Sequence, residues 1–261
     1  LEVSERPLGP FDAEMVELLV AASRAEGIDV KSSVDIEAIE KHAKGFSVRT
    51  ANSGSFETDL VVHGAGRVPD LATLGLNAAG VEYSKRGISV DQTLRTTNRR
   101  IFAVGDCAAT IQLARVADEE AHVAADNILA ELGRGREAIM DYRAAPAVLF
   151  TYPQFAMVGK TEEELKQDVQ TYRKSFAKNL SWPTYQRVGL KDAAYKILID
   201  AKNQILGAHI LSDHAAGMIN TIKQAMLHQT TVDELYRQTI VSPYPTRESD
   251  LSYMLKPLLT D

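Results

Sequence analysis

The sequence predicts an α/β region followed by an α+β domain with an antiparallel sheet, and three observations carry that prediction. An amphipathic helix opens the chain, with Phe11, Met15, Leu18, Leu19 and Ala22 on one face ahead of Gly27, and short strand-like runs follow it. Ile101-Phe102-Ala103-Val104 is a short apolar strand that stops at Gly105-Asp106. In open α/β sheets the binding crevice lies beyond the carboxyl ends of such strands. Beyond Ala145-Pro146 the pattern changes to two strands joined by the turn Lys202-Asn203-Gln204, then a helix from about His214 with a broad apolar stripe.

Composition narrows the function classes. A chain of 261 residues with 45% hydrophobic and 25% charged residues can bury a sizeable core. A net charge of −6 without a basic cluster gives no footprint for nucleic acid or an anionic membrane. No run approaches the ~20 apolar residues of a membrane span. The single cysteine, Cys107, excludes an intrachain disulfide framework and cysteine-built zinc clusters. A cytoplasmic protein with no nucleic-acid, membrane or metal partner is expected.

Each element has a local cause. Asp12 is the N-cap of the first helix, and Phe11 is placed to staple onto Val16. Ile28 to Val30, Asp35 to His42, Phe46 to Thr50 and Asp59 to His63 read as strands, with Asn52-Ser53-Gly54 a turn. A helix is expected from about Val116 to Leu132, with Glu119 and Glu120 in its first turns, where acids suit the macrodipole. Gly133-Arg134-Gly135-Arg136 precedes the main boundary. Thr161 and Glu164 form a capping box, as do Thr231 and Glu234. Val169 to Ala177, Ala194 to Asp200 and Ile205 to Leu211 are the expected strands of the last domain; its long helix carries Ala215, Met218, Ile219, Ile222, Ala225 and Met226 on one face.

The chemistry centres on Gly105-Asp106. Glycine lets a ligand approach the backbone, and a carboxylate accepts hydrogen bonds only, which suits a sugar or polyol; a structural turn is the alternative. The pattern Thr96-x-x-x-x-Ile101-Phe102-Ala103-x-Gly105-Asp106 resembles the second FAD-binding segment of the flavoprotein disulfide reductases, the family of dihydrolipoamide dehydrogenase, glutathione reductase and mercuric reductase. The resemblance implies that Asp106 holds the ribitol chain of FAD. It extends to Gly64-Ala65-Gly66-Arg67-Val68-Pro69-Asp70, similar to the family's Gly-Arg-x-Pro-Asn between nicotinamide and flavin, with Asp70 in place of Asn. Gly66 and Arg67 then lie near the cofactors; a flexible hinge is the other reading of these small residues. Leu113 and Ala114 occupy the place where the family sets backbone N–H groups at a helix start against the flavin's pyrimidine edge. Glu2 stands where the family's dehydrogenases bind the adenosine ribose of NAD; the alternative is a solvated glutamate beside a frayed end. Cys107 reads as core filler.

Phe150-Thr151-Tyr152-Pro153-Gln154 through Val158-Gly159, and Ile205-Leu206-Gly207-Ala208-His209, look like the family's C-terminal dimerisation domain. The expected organisation is 1–68 as the second half of the NAD(P)-binding domain, 69–143 as the second FAD-binding segment and 144–261 as the dimerisation domain of a homodimer. No Gly-x-Gly-x-x-Gly follows a strand and no Cys-x-x-x-x-Cys is present. The resemblance therefore implies the C-terminal part of a larger reductase that uses FAD and NAD(P), with its N-terminal FAD-binding region missing here.

One motif departs from the family. Where most members carry His-Pro-Thr with a Glu five residues after the His, this chain has Tyr244-Pro245-Thr246 and Ser249, flanked by Glu248 and Asp250. An unperturbed tyrosine, with a pKa near ~10, is a poor base but a good hydrogen-bond donor. Tyr244 and Glu248 are the candidate catalytic residues, with a rigid interface anchor as the alternative for Tyr244. Mercuric reductases also carry Tyr there, but with a vicinal cysteine pair near the C-terminus, whereas this chain ends Leu-Leu-Thr-Asp. The expected function is hydride transfer from NAD(P)H to FAD and onward to an unnamed acceptor. The alternatives are a non-catalytic dimerisation module, or a metal or quinone reductase instead of a glutathione or lipoamide reductase.

Overall fold

A computed structural model describes residues 1–260. Its contacts divide the chain into two compact units: one combines residues 1–62 with the chain from Ala144 onward, and the other is His63–Arg143.

In the first unit, α1 spans Ala13–Ala25. The Asp12 carboxylate accepts the Met15 N–H at 3.2 Å as its N-cap, and Met15, Val16, Leu19 and Ala22 are its buried face. Phe11 lies 5.1 Å from the ring of Phe155. Three antiparallel strands follow, β1 (Ile36–His42), β2 (Gly45–Thr50) and β3 (Ser55–Thr58), in the order β1-β2-β3. Ile28 to Val30 and Asp59 to His63 form no strand, contrary to expectation. The turn at Asn52-Ser53-Gly54 is so tight that pairing restarts at Ser55, and the register ends at Phe46↔Thr58, one residue from the start of β2, before Asp59 is reached. Ile28 instead donates its N–H back to Ser23 at the end of α1.

The second unit holds the short hairpin β4 (Tyr83–Ser84) and β5 (Gly87–Ile88), and the helix α2 (Ala114–Glu131). A small core of Leu71, Leu76, Val81, Ile88, Ala103 and Ala108 sits beneath them. The expected strand Ile101–Val104 is extended, but its ladder is a single antiparallel bridge from Phe102 to Arg95 among the described residues. It runs into one 3₁₀ turn, Gly105–Cys107.

The first unit resumes with β6 (Ala147–Leu149), β7 (Gln154–Gly159), α3 (Glu162–Gln167), β8 (Arg173–Lys178), α4 (Pro183–Gln186), β9 (Ala194–Ile199), β10 (Ile205–Ser212), α5 (Ala215–Leu227), α6 (Val232–Thr239) and α7 (Arg247–Leu255). Five of its strands make one antiparallel sheet in the order β6-β7-β10-β9-β8. The turn between β9 and β10 places Asn203 at φ 59°, a conformation asparagine tolerates. Both capping boxes form, with Thr161 on Glu164 and Thr231 on Glu234. β8 starts at Arg173, later than expected, because Val169 at φ 53° belongs to the turn that leaves α3. Every residue of β9 is buried, since α1 packs on the same sheet as the main core of Ile197, Ile199, Ile210, Met218, Ile222 and Met254. Antiparallel sheet with helices is the α+β architecture expected of this region.

Candidate functional site

The Gly105–Asp106 turn is built by three constraints within the second unit. Gly105 sits at φ 67°, in the left-handed region, and a Cβ there would press on Ala117 at 3.2 Å. Its carbonyl accepts the Ala108 N–H at 2.9 Å, closing the turn. Its own N–H donates to Glu120 Oε2 at 2.6 Å. The backbone is thereby pulled inward at Gly105, while the Asp106 side chain stays 58% exposed and, among the described residues, pairs only with Arg67 Nη1, at 3.9 Å. Both carboxylate oxygens remain available as acceptors.

Beyond the turn, Leu113 is the N-cap of α2 and offers no side-chain cap. The N–H groups of Ala114, Arg115 and Val116 therefore lack intrahelical partners. Acceptors at Asp106 and free donors at a helix start fit a ligand that carries several hydroxyls and an acceptor-rich edge. Gly66, at φ 86°, and the 87% exposed Arg67 belong to the same unit, and Arg67 is the residue the fold brings to Asp106.

Sequence reasoning missed Glu120 and Tyr142. Glu120 reads as a surface acid near a helix start, yet it is fully buried on the face of Val116, Val123, Ala124 and Asn127. The signal was its spacing, since an acid four residues after Val116 and three before Val123 lies on the apolar stripe. Tyr142 donates its hydroxyl to Glu120 Oε1 at 2.7 Å. Burial and that carboxylate push the phenol's pKa well above its ordinary value, so it stays a donor.

The remaining candidates lie in the first unit. Glu2 is half-buried; its backbone pairs with Lys31 and Val34, and its carboxylate accepts the Ser4 N–H at 2.8 Å, an interaction that lowers its pKa. Tyr244 is 64% exposed ahead of α7 and precedes a cis proline. Glu248 pairs with His214 at 2.9 Å. Ser249, in the position of the family's Glu, is consumed by structure: its hydroxyl caps Thr246, accepting the Thr246 N–H at 3.1 Å and donating to the Thr246 carbonyl at 2.6 Å.

These features can be set beside known proteins. The family model for pyridine nucleotide-disulphide oxidoreductases matches residues 1–121, and the model for the dimerisation domain of the same oxidoreductases matches residues 145–252. The chain belongs to this family. An uncharacterized 19.7 kDa protein in a mercuric resistance operon of Staphylococcus aureus is 35% identical over 187 residues, 70% of this chain and 100% of that protein. The mercuric reductase of Staphylococcus aureus is 30% identical over 240 residues, covering 90% of this chain and 43% of that protein. The dihydrolipoyl dehydrogenase of Chlamydia pneumoniae is 30% identical over 245 residues, covering 93% and 52%. The chain thus spans about half the length of the named reductases it matches. In fold it is similar to the Cu(II) complex of the HOCl-induced flavoprotein disulfide reductase RclA from Escherichia coli, with a TM-score of 0.87 at 23% identity over 99% of this chain and 59% of that one. The family works with FAD and NAD(P)H, and this chain carries its dimerisation domain. Among the described residues no helix is long and apolar enough to cross a membrane.

Proposed function

We propose that this chain is part of a cytoplasmic, homodimeric, FAD-dependent NAD(P)H oxidoreductase whose electron acceptor is neither glutathione nor lipoamide. In that reading residues 1–68 are the second half of the NAD(P)-binding domain, 69–143 the second FAD-binding segment and 144–261 the dimerisation domain. The observation that carries it is the Asp106 carboxylate, turned outward on a glycine turn directly ahead of the uncapped start of α2. FAD, when bound, takes hydride from NAD(P)H and passes electrons onward. Asp106 accepts hydrogen bonds from the ribityl hydroxyls, the N–H groups from Ala114 onward face the flavin's acceptor edge, and Arg67 with Gly66 lines the approach. Glu2 accepts the ribose hydroxyls of the dinucleotide, a preference for NAD. Tyr244 donates a hydrogen bond on the acceptor side, with Glu248 beside it, and Ser249 being tied up in a cap supports an acceptor that needs no His–Glu proton relay.

The test is titration of FAD into the purified chain, followed by its fluorescence and visible spectrum. Quenching and a shifted oxidised-flavin band, both weakened about tenfold by Asp106→Ala, are expected. Binding unchanged by Asp106→Ala overturns the assignment.

A second reading, a non-catalytic dimerisation module, is favoured by one observation. The largest core cluster is drawn entirely from Ala144 onward, while Phe150, Tyr152, Ile240, Val241 and Tyr244 stay exposed. Failure of FAD to bind together with a dimer in sedimentation would select it.

A further inference from the structure

We propose that Glu120, held by Tyr142, is the positioning residue that keeps the Gly105–Asp106 turn open toward a polyhydroxy ligand. The inference rests on the reading that this turn meets the ribityl chain of FAD, and it assigns the control of that turn to two residues that do not touch the ligand. Glu120 has no solvent exposure, and among the described residues no cation pairs with it. A buried carboxylate without a counter-charge is costly unless its oxygens are hydrogen-bonded. Here each oxygen has one donor, the Gly105 N–H at 2.6 Å and the Tyr142 hydroxyl at 2.7 Å.

The choice of an acid has a geometric consequence. A carboxylate can only accept, so it admits one orientation of the Gly105 peptide, with the N–H pointing into the unit. With that N–H tied inward and Gly105 at φ 67°, the 3₁₀ turn closes on Ala108 and the next side chain, Asp106, is directed outward. Tyr142 fixes the carboxylate from the far side. The loop that carries it is itself tied to α2, through Asn127, which accepts the Ala138 N–H at 2.8 Å and donates to the carbonyls of Ala138 and Thr93 at 2.9 and 3.0 Å. The turn, the middle of α2 and the Ala138–Tyr142 loop are therefore one mechanical unit.

The experiment uses the 261-residue chain with FAD as probe, in four forms: unsubstituted, Glu120→Ala, Glu120→Gln and Tyr142→Phe. Two quantities are read, the FAD dissociation constant by fluorescence quenching and the exchange rate of the Gly105 amide by NMR of glycine-labelled protein. Glu120→Ala is expected to weaken FAD about tenfold and to release the Gly105 amide to fast exchange. Glu120→Gln restores both, because its carbonyl accepts from Gly105 and its amide donates to the Tyr142 oxygen. Tyr142→Phe, which keeps the ring and hence the packing, gives a smaller loss in the same direction and decides the matter if Glu120→Ala fails to fold. A released Gly105 amide with FAD affinity unchanged overturns the proposal, as does an amide that stays protected in Tyr142→Phe while affinity also stays. If the unsubstituted chain binds FAD and Asp106→Ala leaves that binding unchanged, the reading of the turn itself is wrong and the inference falls with it.

Discussion

The ammonium of Lys196, in the middle of β9, lies 2.8 Å from the carboxylate of Asp12, the N-cap of α1, and neither side chain has any exposure to solvent. Glu162 Oε2 and Glu14 Oε2 each lie 2.9 Å from the same ammonium, and Glu162 in turn accepts from Tyr172 and pairs with Lys174. Burial alone would discharge Lys196, but its three carboxylates raise its pKa above the ordinary value. One ion cluster thus fastens the helix at the start of the chain to the sheet and to α3.

Removing the cation from this cluster leaves Asp12 and Glu162 buried beside each other. Breaking a buried pair by deleting one partner costs about 3–5 kcal/mol, against ~0–1 kcal/mol for an exposed pair. Lys196→Met should therefore lower the urea midpoint by an amount equivalent to about 3 kcal/mol or more. A change below ~1 kcal/mol would mean that the cluster holds α1 no better than a surface contact does.

The same region sets the response to acid. Burial, with the nearby Lys196 charge also against protonation, drops the His209 pKa to about 4 even though Asp12 and the Lys160 carbonyl pull the other way. The unfolded imidazole takes up its proton near pH ~6.5. Between those values the unfolded state binds more protons, so stability is full above pH ~6.5 and falls as pH drops toward 4. Asp12 and Glu162 act in the next window. Burial opposes their charges, but His209 and Lys196 at Asp12, and Lys196, Tyr172 and Lys174 at Glu162, hold both pKa values below normal. Their contribution is present above the unfolded carboxyl range and lost as pH falls through the lowered values. Unfolding free energies at stepped pH should show the first decline in the native chain and lack it in His209→Gln.

What could be read from the sequence was what depends on neighbours along the chain. The N-cap at Asp12, the boxes at Thr161 and Thr231, the stripe of α5 and the turn at Asn203 are all set within a few residues, and all appear in the structure. Ile28–Val30 was misread because a β-prone run becomes a strand only where another strand lies beside it. Lys196 could not be assigned, since a lysine between Tyr195 and Ile197 reads as an outward position, and its partners come from Asp12 and Glu162 far along the chain. At the candidate site the Gly105-Asp106 pair was legible, and the Glu120 support was hidden by a pair of adjacent acids of which only spacing separates the buried one.

Two glycines should respond oppositely to one added methyl group. At Gly207, beside the register shift of β10, a Cβ would run into the backbone carbonyl of Lys160, which the sheet holds in place. Gly207→Ala should cost several-fold more stability than an ordinary substitution, more than the ~1 kcal/mol centre of such changes, and give little folded protein. At Gly217, inside α5, the new Cβ would first meet the outer atoms of the His214 ring and Glu248 Oε1 at 3.0 Å. His214 is more than half exposed and can swing away, while alanine favours a helix over glycine by ~1 kcal/mol. Gly217→Ala should keep or raise the melting temperature while breaking the His214–Glu248 pair; a large drop would show that this pair is rigidly held.

Arg247 offers the sharpest test of how the Tyr244 segment is held. It is the first residue of α7, directly after the cap Thr246, and its guanidinium grips Asp213 through Nε at 2.6 Å and Nη2 at 2.9 Å. The same plane stacks 3.7 Å from the Tyr185 ring centroid, and Nη1 lies 3.8 Å from the buried Asp250. Asp250 Oδ1 has no hydrogen-bond partner among the described residues, and burial raises its pKa despite the Thr184 hydroxyl and the arginine charge. A lysine would keep the charge but has neither the two-pronged fork nor a flat face to stack, so it cannot serve Asp213, Tyr185 and Asp250 together. Arg247→Lys should therefore cost about 2 kcal/mol, close to the loss of a charged hydrogen bond, in denaturant unfolding. If charge alone anchored the segment, Arg247→Lys would be nearly neutral and Arg247→Met severe; equal losses for the two variants would establish that the planar fork fixes the start of α7, and with it the position of Tyr244 and Glu248.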